Sequence, residues 1–408
     1  MAVEDLRGTW GERMPCLTPT RQPKAVLANA LFALREAPEW AGVLAYDEFA
    51  LTTVTMQPPP WCRGGNDWKS VQWKDCDDVL TTEWLQREGI DVPLNVTASA
   101  VETVGRGNSF HPIRDYLGGL KWDGTKRLEG FATDYLGTGD TSYNTAVGCC
   151  TFISAVARVF EPGCKVDHVA VLEAEQGAFK SSAVDALFSP WFSDELAELG
   201  SKDAAMQARV AWGIEIAELT SMRKGEVERI KAFIARSVDR FRPSYGRRVI
   251  EVPRQCVFVG TTNADGYLKD ETGARRFWPL QCRCIKLKAI KRDRDQLWAE
   301  AVTLYRKGEP WWLTDVHDIA AAREEQAHRY ADDAWETIIA KRLNGKDDTS
   351  VAEILSDVLR IEEARWTQAD QNRVARCLTV YGWHQYWARV PTRGRRYCRK
   401  DRGQCGHR

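Results

Sequence analysis

Apolar positions along this chain change their period as the chain proceeds. Between Lys24 and Glu36, the residues Val26, Leu27, Ala30, Leu31 and Leu34 recur at three- and four-residue steps, the spacing of one helix face. Asp75 to Glu88 and Thr97 to Val104 read as two further helices, with a turn at Gly89 after the first. Leu44 to Met56 alternates and reads as a hairpin, and Pro58-Pro59-Pro60 with Gly64-Gly65 marks a loop. Residues 1–20 carry Pro, Gly and Thr without any period and read as an arm. Residues 1–94 are therefore expected to form an α+β or winged-helix-like region.

Residues 95–160 follow as a helical lead-in: a polar, turn-rich connector from Asn108 to Arg127, then a mainly helical stretch from Leu128 to Phe160. From Asp167 to Leu280 short apolar runs alternate with helical segments. That pattern predicts an α/β domain with a mainly parallel sheet over residues 161–310. Asp295 to Tyr305 and Asp318 to Leu343 are helical in pattern. Thr349 to Arg399 holds two helical stretches and then hairpin character from Trp383 to Tyr397, an order that fits a winged-helix unit within residues 311–408. No internal repeat is present.

Composition adds a few bounds. A chain of 408 residues has room for two or three domains. Its formal net charge is zero, so a nucleic-acid surface has to come from local clusters. There is no run of eighteen apolar residues to span a membrane, and the start lacks the basic-then-apolar order of a secretory signal. A cytoplasmic protein is the expectation, with its 12 cysteines reduced. Cys282-x-Cys284 and the set Cys398, Cys405 and His407 lack the paired spacing of a zinc ribbon. Most of the 17 tryptophans read as core anchors.

The strongest chemical signal begins at His168-Val169-Ala170-Val171-Leu172, a β-type run. A loop follows, with Gln176, Gly177, Ala178, Phe179, Lys180, Ser181 and Ser182, and then a helical segment to Phe188. Strand, loop, Lys-Ser, helix is the order of a P-loop, in which backbone N–H groups and a helix N-terminus hold phosphates. Lys180 would reach the β- and γ-phosphates of ATP, and Ser181 would place its hydroxyl on Mg2+. The usual pattern has glycine at the positions of Ala174 and Phe179, where only Gly177 remains nearby.

Three features follow in the order such a site needs. Val210 to Leu219 is an apolar run carrying Glu215 and Glu218, either able to hold Mg2+ or to orient the attacking water; Glu215 is favoured for the metal. Cys256 to Asn263 is an apolar run whose end projects the amide of Asn263, suited to sensing a γ-phosphate. Arg275 and Arg276 then offer two guanidinium groups, one a candidate arginine finger. Between the acidic and Asn runs lies a basic, aromatic-bearing cluster with Arg240, Arg242, Tyr245, Arg247 and Arg248, suited to DNA phosphates and to stacking on unpaired bases. The tail from Arg389 onward is also basic, as a non-specific DNA contact requires.

The strings RFRPSYGRR, GTTN and GARRFWP, with the upstream NSFHPIRDYLGGLKWDGTKRL, resemble the virulence-associated protein E family over roughly residues 95–310. That family is similar to superfamily 3 helicases and to the helicase part of primase-helicases. The resemblance implies an α/β, AAA+-like P-loop ATPase core with mainly helical or winged-helix-like flanking regions. It also implies Mg2+-ATP, a homo-oligomeric ring, single- or double-stranded DNA, and a role in replicating phage, prophage or mobile-element DNA beside a separate primase or other replication proteins. Lys180 and Ser181 match its loop, Glu215 or Glu218 its acidic motif, Asn263 its sensor, and Arg275 or Arg276 its finger. Lys231 to Arg248 resembles the extra helicase motif whose hairpin faces DNA. The departures at Ala174 and Phe179 motivate a second reading: a non-catalytic DNA-binding protein on a degenerate P-loop scaffold.

Overall fold

The computed structural model describes residues 10–62, 68–195, 201–217, 224–242, 249–263, 267–268, 275–329, 334–388 and 394–399. They divide into two compact units, the first made of residues 1–264 and 270–327, the second of residues 265–269 and 328–408.

The first unit opens with a small α+β region. It contains α1 (Leu27–Glu36), β1 (Leu44–Asp47), β2 (Thr52–Thr55), β3 (Val71–Gln72), α2 (Asp75–Arg87), α3 (Leu94–Gly107), β4 (Ser109–Phe110) and α4 (Pro112–Gly119). The sheet order is β3-β2-β1-β4, with β1 antiparallel to β2 and parallel to β4. A mixed four-stranded sheet makes this region α+β rather than mainly helical. The expected arm is corrected from Trp10 onward. Trp10 and Met14 are 3% and 7% exposed and pack in one cluster with Trp40, Leu34 and Leu85. Burying an indole outweighs the loop-like composition around it.

The expected connector is tied down. Buried Glu300 accepts hydrogen bonds from the backbone N–H groups of Arg127 (2.7 Å) and Leu128 (3.0 Å), and Asp123 pairs with Arg127 at 2.7 Å. It leads to α5 (Ser142–Phe160), whose N-cap Thr141 accepts from the Asn144 N–H.

The core of the unit is a parallel α/β arrangement. Its elements are β5 (Val169–Glu173), α6 (Lys180–Phe188), β6 (Phe192–Ser193), α7 (Lys202–Arg209), β7 (Gly213–Ile216), α8 (Lys224–Ile234), β8 (Val238–Phe241), β9 (Ile250–Pro253), β10 (Val257–Thr262), β11 (Phe277–Gln281), α9 (Leu287–Arg306) and α10 (Val316–His328). Five strands form one sheet in the order β11-β5-β10-β7-β6, all parallel. Every residue of β5, β7 and β10 is buried, as strands covered on both faces must be. Helices α5, α6 and α9 pack together around Trp298, whose ring lies 4.3 Å from that of Trp212. Both indole N–H groups are satisfied, Trp298 donating to Leu187 O and Trp212 to Ala155 O. A methyl group at Gly213 would overlap the Phe188 ring, so glycine is what lets β7 approach α6.

The second unit contains α11 (Ala334–Leu343), β12 (Asp348–Thr349), α12 (Val351–Glu353, continuing as a wider helical turn to Val358), α13 (Gln368–Val380), β13 (Trp383–Ala388) and β14 (Gly394–Arg399). Its antiparallel sheet has the order β12-β14-β13. Ile339, Leu355, Val374, Leu378 and Trp383 form its core.

Candidate functional site

The strand order determines where a ligand can sit. From β5 the chain crosses to β6 at the far edge, returns through β7 to β10, and then passes to β11 on the other side of β5. The crevice of such a sheet opens where the order reverses, outside the C-terminal ends of β5 and β10. The loop after β5 and Asn263 after β10 meet there.

Lys180 begins α6 and is 7% exposed. Its Nζ donates to Ala174 O at 2.8 Å, Glu175 O at 2.9 Å and Asn263 Oδ1 at 2.7 Å. Burial pushes its pKa below the ordinary lysine value. Three neutral acceptors hold the ammonium at the crevice mouth, so its charge is oriented but not cancelled by an adjacent carboxylate.

At Phe179 the loop keeps the left-handed backbone that a glycine there would favour. Gly177 has φ +85° and Phe179 has φ +62°, the latter a conformation a β-carbon disfavours by about 1–2 kcal/mol. The Phe179 side chain is 58% exposed and makes no cap bond to α6. The first-turn N–H groups of α6 thus have no side-chain cap and face the crevice, the situation in which a helix end takes an anion. Gln176 and Gly177 are exposed, while Ala178 and Ser182 are half-buried.

One residue on, exposed Ser181 donates to Glu215 Oε1 at 2.7 Å. Glu215 lies in β7 and is 2% exposed. Thr261 in β10 donates to the same Oε1, while Oε2 has no partner among the described residues. A buried carboxylate oxygen left unpaired is costly unless something else binds it, and it stands beside a hydroxyl. Two hard oxygens on facing elements suit a small divalent cation that keeps several waters and a substrate phosphate as its other ligands. Thr261 is a participant the sequence reading passed over, and two threonines ending an otherwise apolar strand were the available signal. Glu218 lies outside the described residues.

Arg275 and Arg276 are elsewhere. They precede β11, in which Phe277 lies opposite Val169 and Gln281 opposite Glu173. They therefore stand at the start of the sheet, roughly 13 Å of strand away from the end that carries the Lys180 loop. Within one chain they are not brought to Lys180.

The basic cluster is built on a hairpin. β8 and β9 pair antiparallel, with Arg240 opposite Glu251 and Phe241 opposite Ile250. Its root is rigid: buried Asp239 receives two hydrogen bonds from Arg254, at 2.9 and 2.6 Å, and the Arg254 guanidinium lies 4.3 Å from the Phe233 ring centroid. Arg240 and Arg242 are exposed, Arg240 pairing with Glu251 at 3.0 Å. Tyr245, Arg247 and Arg248 lie outside the described residues. Lys231 is corrected: it is 4% exposed and sits among buried Ile230, Phe233 and Ile234 of α8, so within this chain it is not on an exposed basic surface.

Among the described residues no disulfide joins two cysteines, no group of three or more His, Cys, Asp and Glu side chains could hold a metal ion, and no helix is long and apolar enough to cross a membrane.

The virulence-associated protein E-like domain model matches residues 117–330, more than half of the 408-residue chain. No curated protein matches it in sequence. Among solved structures, the apo C-terminal region of NrS-1 (305–718) is similar at 12% identity and a TM-score of 0.47, covering 89% of this chain and 99% of that one. The A form of the same apo region is similar at 11% identity and a TM-score of 0.47, covering 87% and 95%.

Proposed function

This chain belongs to the virulence-associated protein E-like domain family, and from that premise we propose that it is a P-loop ATPase of the AAA+, superfamily 3 helicase-like kind. In this reading it uses Mg2+-ATP to move on or melt DNA during replication of a phage, prophage or mobile element. One observation carries the reading. Four residues from three separated segments, Lys180, Ser181, Glu215 and Asn263, are hydrogen-bonded at one crevice, by a pair of contacts each 2.7 Å long.

Each has a task there. The uncapped start of α6 and the Lys180 ammonium bind and orient the phosphates. Ser181 and Glu215 Oε2 would hold Mg2+, which would supply positive charge against the phosphates. Asn263 hydrogen-bonds Lys180 and is placed to position the attacking water once phosphate engages the ammonium. Glu218 is the alternative acid for the water. Arg275 or Arg276 stands too far from Lys180 to act in its own chain and reaches a neighbour's phosphates in a homo-oligomeric ring. The β8–β9 hairpin offers the exposed Arg240 and Arg242 to single- or double-stranded DNA, and Tyr245, Arg247 and Arg248 are the further contacts proposed from the sequence. A separate primase and other replication proteins are the expected company.

ATP hydrolysis with and without single-stranded DNA, beside Lys180→Ala, tests the reading. DNA-stimulated turnover that the variant loses supports it. Absence of turnover, with equal DNA binding by both proteins, supports the non-catalytic scaffold instead.

A further inference from the structure

Where β5 and β11 begin, at the end of the sheet away from Lys180, the first unit carries a cleft of about 630 Å³. That is the size of an ordinary small-ligand pocket. Arg275, Arg276 and Arg323 line it, and among the described residues no carboxylate pairs with any of the three. Lys165 adds a fourth cation at the rim, paired with Asp167 at 3.6 Å.

The walls are aromatic. Trp312 is 51% exposed, an unusual state for so large an apolar ring. Trp311 stands edge-on to it, with centroids 5.1 Å apart at 88°, and is locked by its Nε1 donating to Lys165 O. Deeper in, His168 and Trp278 lie parallel with centroids 3.9 Å apart. His168 is 7% exposed, and its Nε2 has no partner among the described residues. The Arg276 Nε is also buried and unpartnered. Burial drives the His168 pKa down to about 3, so its ring is neutral and offers hydrogen bonding rather than charge.

A phosphate or an acidic side chain alone would use the guanidinium groups and leave the open indole face and the buried imidazole nitrogen idle. A ligand with a phosphate and a flat heterocycle engages all of them, because arginine forks match phosphate and indole faces stack on bases. We propose that this cleft is a second nucleotide-recognising site, taking a nucleoside phosphate with its base against Trp312 and its phosphate among Arg323, Arg275 and Arg276. The source is either a free nucleotide or a nucleotide unit of a single strand. The site does not depend on the reading of the Lys180 loop, and Trp312 and Arg323 lie outside the residues assigned there.

The test uses the full chain carrying Lys180→Ala, which silences the loop, with and without Trp312→Ala and Arg323→Ala. Binding of dTMP and of a dT6 strand bearing one 5-iodouracil is measured, and the strand is then photocrosslinked and the attached peptide identified. The expected result is at least a tenfold weaker affinity in the triple variant for whichever probe binds, with the crosslink of the strand at Trp312. Weakened dTMP binding identifies a free-nucleotide site, and weakened dT6 binding alone identifies a strand site. Equal affinities for both probes with and without the two substitutions overturn the proposal. An intact thermal transition in the triple variant shows that loss of binding is not loss of fold. ATP turnover of Trp312→Ala, Arg323→Ala without DNA stays at the wild-type level, so failure here and failure of the ATPase reading are read separately.

Discussion

The two ends of the parallel sheet differ in how their polar groups are satisfied. At the end where β5, β7 and β10 finish, the functional side chains answer one another: Lys180 is held by Asn263 and two loop carbonyls, and Ser181 and Thr261 both donate to Glu215. At the end where β5 and β11 begin, three guanidinium groups surround a cleft with no carboxylate partner among the described residues. The first end is held by the chain's own hydrogen bonds, and fixed dipoles and charges are what a transition state is stabilised by best. The second has guanidinium groups whose charge no described carboxylate offsets. The proposed ATP site and the proposed nucleotide cleft divide in this way.

The comparison breaks most readily at the arginines. One of Arg275→Ala and Arg276→Ala is expected to lower ATP turnover by on the order of 10³, the usual worth of an arginine finger. Mixing that variant with Lys180→Ala should restore part of the activity, since each protein supplies what the other lacks. No recovery on mixing, with each variant folded, would remove the trans role. Glu215→Gln keeps the shape and the bond to Ser181 but loses the charge, and should cost on the order of 10² in turnover with nucleotide binding retained in the absence of Mg2+. Equal Mg2+ dependence in variant and wild type, measured by turnover against metal concentration, would take Glu215 out of the metal site.

Stability separates the ends further. Gly213→Ala forces a methyl into Phe188 between β7 and α6 and should lower unfolding free energy by about 1–3 kcal/mol in denaturant titration. At the opposite end, His168 is neutral when folded, with its pKa near 3, and protonates in the unfolded chain below its ordinary 6.5. Between those values the unfolded state binds the extra proton, so stability falls as pH falls from 6.5 toward 3. His168→Phe, which keeps a ring beside Trp278, should flatten that part of the pH–stability curve. An unchanged slope would mean that the imidazole is not buried uncharged. The smallest effect is expected from Phe179→Gly, which relieves a φ of +62° and should gain less than about 1 kcal/mol without weakening nucleotide binding.

Much of the first end was legible in sequence. Asn263 directly follows the apolar run of β10, Glu215 is the lone acid inside β7, and Lys180 and Ser181 open the helix after the loop that leaves β5, so the order of runs and loop marks all four. Thr261 escaped because it is written inside the strand as an ordinary β-former. The conformation at Phe179 was not legible, since its type argues against the backbone it adopts. The second end was hidden for a different reason. Trp311, Trp312 and Arg323 come from the segment after α9 and from α10, and only folding brings them beside Arg275, so no local pattern reports the cleft. Lys231 shows the limit of reading charge along a helix, where spacing does not tell which face turns inward. Trp10 shows the converse, a buried anchor in a stretch whose composition reads as an arm.

Everything proposed for the Lys180 crevice depends on its binding Mg2+-ATP. Direct calorimetric titration of Mg2+-ATP into the wild-type chain and Lys180→Ala tests it without requiring turnover or DNA. One saturable site per chain and at least a tenfold weaker affinity in the variant are expected, because the Lys180 ammonium is a charged donor fixed at the mouth of the loop. Equal affinity in the two proteins, or no binding by either, would contradict it.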